Sequence, residues 1–89
     1  MTEGFTQFFP AKVGDTVYEI IKGSVISESR VEFYRIAGEQ AHKNRVMLSF
    51  VGSDGKTYGK MRKLTAFGRT IFPNRQQAEL ALKTKEERL

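Results

Sequence analysis

The 89-residue sequence contains no cysteine. A disulfide framework is therefore impossible, and so is a thiolate metal site. Small secreted domains lean on such staples, so their absence points to a reducing, cytoplasmic setting. No apolar run approaches the ~20 residues that a membrane-spanning helix needs, and no membrane partner is expected. The start, Met-Thr-Glu-Gly-Phe, has neither the basic nor the apolar stretch of a secretion signal. Histidine occurs once, at His42, in a polar stretch beside Lys43. A histidine metal site or a Cys–His pair is excluded, and a solvated loop histidine is expected. Gly55-Lys56-Thr57 is a Gly-Lys-Thr, but Phe50 stands where the phosphate-loop pattern needs its first glycine, so that pattern is not met.

Acidic residues are missing from one long stretch. Between Asp54 and Glu79 there is none, while Lys56, Lys60, Arg62, Lys63, Arg69 and Arg75 all fall there. The net charge is +5, and the rest of the chain is close to neutral. The excess charge thus lies in the second half, which favours polyanionic partners.

The remaining composition is that of a globular domain, with 39% hydrophobic residues. A chain this short makes one domain, since two halves could not each bury a core. Seven Phe and three Tyr supply most of the apolar bulk, each able to bury about 150–250 Å².

Residues 1–12 show no periodicity and read as an irregular arm, with Phe5, Phe8 and Phe9 folding back onto the body or forming an apolar patch. Residues 13–72 read as a β body. Thr16 to Lys22 is rich in β-branched and aromatic residues, and Gly23-Ser24 reverses the chain. Val25 to Ile36 has Val25, Val31 and Phe33 on one parity and Ile26, Tyr34 and Ile36 on the other. A long strand with apolar groups on both faces bends or bulges. Arg45 to Val51 alternates cleanly. Asp54-Gly55 predicts a two-residue type I′ turn, and Thr57 to Leu64 then pairs back. Gly59 in mid-strand marks a bulge or a tight bend. Thr70 to Phe72 is a last short strand. Asn74 is an N-cap with Gln77 three residues on, predicting a helix over 74–86 that packs through Ala78, Ala81 and Leu82.

The predicted fold is therefore mostly β, of the α+β kind. It is a small SH3-like five-stranded antiparallel barrel or a strongly bent open sheet, with one C-terminal helix.

Val13-Gly14-Asp15-Thr16-Val17-Tyr18-Glu19-Ile20 and the stretch Phe67 to Leu82, F-G-R-T-I-F-P-N-R-Q-Q-A-E-L-A-L, resemble small uncharacterised prophage and mobile-element proteins of Gram-positive bacteria. The resemblance covers the two ends, about a quarter of the chain. Its motifs are a strand start, a helix cap and a helix packing face. Pro73-Asn74 replaces the Leu-Thr expected before the helix, and Asn caps equally well. The resemblance implies the β body, the helix and a prophage context, and no activity.

No catalytic constellation is present, so a non-enzymatic binding module with no cofactor is expected. The carboxylates Asp15, Glu19, Glu28, Glu32 and Glu39 are scattered, and Arg30 stands between Glu28 and Glu32. The basic segment interleaves charge with aromatic groups. Tyr58, Lys60 and Arg62 share one strand face. Lys56, Tyr58, Lys60, Arg62, Lys63 and Arg69 are the candidate nucleic-acid site, with Tyr58 as a stacking ring. The competing reading is a solvated edge strand guarded by its charges. The alternative function is a protein-binding adaptor or inhibitor of a host or phage factor, using a sheet edge or an aromatic patch.

Overall fold

A computed structural model describes residues 10–87, with side chains through residue 84. Five strands form one antiparallel sheet: β1 (Thr16–Ile21), β2 (Val25–Arg35), β3 (Arg45–Val51), β4 (Thr57–Lys63) and β5 (Ile71–Phe72). Their spatial order is β4-β3-β2-β1-β5. Helix α1 (Arg75–Glu87) ends the chain. The expected bent sheet with a C-terminal helix is present. The barrel is not closed, because β4 and β5 stand at opposite ends of the strand order and do not pair.

Alternation decides which side chains meet. Register places Val17, Ser29, Val31, Leu48 and Val46 on one face. That inner face holds the core: Val17, Val31, Val46, Leu48 and Ile71 are fully buried, and Ala11 joins them from the N-terminal segment. Leu64, Ala66 and Phe67 pack against this cluster from the 3-10 turn that follows β4. The Tyr34 hydroxyl donates to the Ala11 carbonyl at 2.5 Å and accepts from the Ala11 amide at 3.2 Å, tying the entering chain to β2. Phe5, Phe8 and Phe9 lie outside the described residues.

Helix α1 covers the opposite, outer face near β1 and β5. Ala78 is fully buried there, Ala81 and Leu82 are half-buried, and the Arg75 guanidinium lies 5.4 Å over the Tyr18 ring. Asn74 caps the helix as expected, its Oδ1 accepting from the Gln77 amide at 2.8 Å.

The bulge expected of β2 is present, but three local expectations need correction. First, the β2 phase changes: Val31 pairs with Leu48, but Phe33 pairs with Met47, leaving Glu32 as an extra residue. Tyr34 therefore joins Val31 on the inner face, and Phe33 turns outward, although their sequence parity says the reverse. Second, the β3–β4 hairpin forms, but its turn has three residues. The Gly55 amide donates to the Gly52 carbonyl at 2.9 Å, and the Gly52 amide to the Lys56 carbonyl at 2.8 Å. Only Gly55, at φ +83°, takes positive φ, and Asp54 does not. The two-residue reversal with φ > 0 at both centres occurs instead at Lys22 (φ +55°) and Gly23 (φ +75°), where the Ser24 amide donates to the Ile21 carbonyl. Third, Gly59 is no bulge, since β4 keeps register with β3 through it. A Cβ there would stand 3.2 Å from the Met47 sulfur, so glycine leaves room for that side chain.

Candidate nucleic-acid interface

The acid-free segment does not form one surface. Lys56 lies in the β3–β4 turn and Arg69 in the loop before β5, at the other end of the strand order. Tyr58, Lys60 and Arg62 do share a face, as alternation requires, but it is the inner one. Lys60 pairs with Leu48, and Arg62 with Val46.

Glu19 explains their placement. Its Oε1 lies 2.5 Å from Lys60 Nζ and its Oε2 lies 2.5 Å from Arg62 Nε. The Glu19 and Lys60 side chains retain 5% and 9% of their exposure, and Arg62 retains 37%. Glu19 is on β1, and two strands separate β1 from β4 in the sheet order. In a flat sheet, three strand spacings of about 4.8 Å would hold them apart. The sheet is therefore strongly curled, and this ion triad spans the gap that hydrogen bonds do not close. Burial alone would raise the Glu19 carboxyl. The hydrogen bonds and charges of Arg62 and Lys60 outweigh it and hold the pKa below the ordinary carboxylate range. Lys60 also sits 4.7 Å over the Phe50 ring. Phe50 stacks on Tyr58 at 5.8 Å between centroids. The Tyr58 hydroxyl donates to Asp54, and that hydrogen bond pushes the phenol up and holds the Asp54 carboxyl low. Lys60 is thus committed to Glu19 rather than offered to solvent.

Lys63 belongs elsewhere. It points to the outer face, opposite Arg45, which in turn stands opposite Arg35. Arg35, Arg45 and Lys63 thus form a row of three cations crossing β2, β3 and β4. Directly opposed residues lie about 4.5–5.5 Å apart at Cβ. Among the described residues, none of the three has a carboxylate within ion-pair distance. Arg45 is oriented by the polypeptide itself, its Nη1 donating to the carbonyls of His42 (3.0 Å) and Asn44 (2.9 Å). Asn44 Oδ1 accepts from the Ala37 amide and pins the base of the loop. Arg35, Ile36, Ala37, Lys43 and Arg45 line an open cleft of about 430 Å³ at this end of the sheet. Beside the cation row, Phe33, Met47 and Met61 form a second cross-strand row.

Arg35, Lys43, Arg45, Phe33 and Glu19 escape a search along the sequence because they are scattered through it. A usable signal does exist: arginines stand at both feet of the 36–44 loop, where antiparallel pairing sets them side by side.

Among the described residues, no three His, Cys, Asp or Glu side chains gather in a way that could hold a metal ion. No described helix is long and apolar enough to cross a membrane. Comparison with protein-family models, with curated proteins and with solved structures finds no match to this chain.

Proposed function

We propose that the chain is a small non-enzymatic module that binds the phosphate backbone of nucleic acid, of the mobile-element kind its two ends resemble. The observation that carries this reading is the Arg35–Arg45–Lys63 row. Like charges placed directly opposite each other destabilise a sheet. Three in a row with no carboxylate among the described residues suit a ligand that brings its own negative charge. Lys43 and Lys56 extend the positive surface at the two loops that flank β3. From the acid-free segment, Lys63 and Lys56 contribute; Arg62 is held on the inner face by Glu19, away from the row, and Arg69 lies at the other end of the strand order. Lys60 supports the fold through Glu19, and Tyr58 stays with Asp54 and Phe50.

Phosphate neutralisation releases counterions, so affinity falls with salt in proportion to the contacts made. In anisotropy titrations of labelled oligonucleotides, Arg35→Ala and Lys63→Ala each lower affinity for all sequences alike. Each also reduces the log–log salt slope by about one unit. Lys60→Met leaves the slope unchanged. Absence of binding at low salt by this +5 protein would refute the proposal.

A second reading rests on the outer side of β4, which among the described residues pairs with β3 alone. An extended segment of a host or phage protein could add there as a further strand. Tyr58 stands exposed on that strand.

A further inference from the structure

Resting on that reading, we infer that the ligand is single-stranded and that Phe33 is the platform on which one of its bases stacks. The extra residue at Glu32 takes Phe33 out of the core phase and turns it onto the outer face, where it keeps 48% of its exposure. A core strand that stayed in register would have buried this ring. Bulges re-aim side chains in this way next to functional sites. Phe33 and Arg35 are two residues apart on one strand, so they stand on the same face as neighbours. Their cross-strand partners continue the pattern: Met47 and Met61 extend the apolar row, and Arg45 and Lys63 extend the cationic one. Two parallel rows result, one suited to bases and one to phosphates. Helix α1 packs toward β1 and β5 and leaves this part of the face open, with Phe33 accessible.

A duplex offers the same phosphates, but its bases are stacked on one another and present no free ring face to Phe33. A single strand offers both. Base–aromatic stacking tolerates any base, because each has a π-face, so the site reads strandedness rather than sequence.

The test uses the absence of tryptophan in this chain. Phe33→Trp places a unique fluorophore at the platform. Its emission is followed while labelled oligothymidylate, or a duplex of equal phosphate number, reports binding by anisotropy. Oligothymidylate is expected to quench the tryptophan, and the duplex is not. Phe33→Ala is expected to weaken single-strand binding by about 5- to 150-fold. It should leave duplex affinity and both salt slopes unaltered. Phe33→Leu keeps apolar bulk without the ring and should lose the same preference, which separates stacking from any loss of packing. Oligothymidylate that binds without quenching, together with a Phe33→Ala variant that keeps its single-strand affinity, overturns the stacking inference and leaves the backbone proposal standing. Loss of all binding to both ligands in the unaltered protein overturns the backbone proposal and this inference with it.

Discussion

Glu19 holds two cations on a strand that is not its neighbour, and that geometry fixes how the molecule responds to its removal. The carboxylate and Lys60 are both nearly excluded from solvent. Taking away one member of a buried ion pair leaves its partner charged, desolvated and unmatched, at a cost of about 3–5 kcal/mol. Glu19→Gln should lower stability by that amount in urea unfolding, a large share of the roughly 5–15 kcal/mol that holds a domain together. Lys60→Met should cost much less, because Arg62 remains to match Glu19. Equal losses in the two variants would show that the triad is not what joins β1 to β4. The same group sets an acid limb. Its folded-state pKa lies below the ordinary range, despite the opposing effect of burial. A carboxyl depressed in this way contributes stability that is complete above its unfolded-state pKa. The contribution is lost as pH falls through the lower, folded-state value. Stability measured from neutral to acid pH should fall across that interval, and Glu19→Gln should flatten the fall. A variant as acid-sensitive as the parent would rule Glu19 out as the cause.

Among the elements, the helix and the first hairpin each offer a direct check. Asn74 accepts from the Gln77 amide at the start of α1, so Asn74→Ala should cost about 1 kcal/mol in thermal unfolding. An unchanged melting temperature would deny the cap its role. Lys22 sits at φ +55°, the only described residue other than glycine with positive φ. Asparagine tolerates that region better than lysine. Lys22→Asn should therefore stabilise the hairpin by up to about 1 kcal/mol, read as a raised urea midpoint; a lowered midpoint would show that the turn is not strained. These elements also show what the sequence makes legible. Each expected strand and the helix lie within a residue or two of the observed spans, because alternation and capping are local signals. Apolar groups on both parities of β2 signal a bulge but not its position at Glu32, so parity alone misassigns both Phe33 and Tyr34. Asp54-Gly55 marks its hairpin correctly, yet the side chain of Asp54 bonds the Lys56 amide and Tyr58 in a three-residue turn. The site suffers most. A charge run along β4 alternates between two faces, so Lys60 and Lys63, three residues apart, point opposite ways. Arg35 and Arg45 become neighbours only once the register is known.

At the scale of the whole molecule, charge and fold pull in different directions. The sheet curls until β1 and β4 are bridged by an ion triad, but it carries an excess of five positive charges and lines three of them up across its outer face. Self-repulsion of this kind destabilises the compact state, and like charges directly opposed in a sheet add to that. Lys63 stands against Arg45 with no carboxylate partner among the described residues. Lys63→Gln should accordingly raise the melting temperature at low salt, and the gain should shrink as salt screens the row. The Debye length falls from about 30 Å at 0.01 M to about 8 Å at 0.15 M. A polyanion that binds the native state should stabilise the unaltered protein by mass action and help Lys63→Gln less. The two effects are therefore coupled with opposite sign: the change that stabilises the free protein weakens its response to ligand. Thermal unfolding of both proteins, at low and moderate salt and with or without oligothymidylate, measures all four corners. If Lys63→Gln lowers the melting temperature at low salt, the row is not in repulsion and some unseen contact neutralises it. If oligothymidylate raises the melting temperature of both proteins equally, Lys63 takes no part in binding, and the cationic surface must then be sought at Lys43, Lys56 and Arg69.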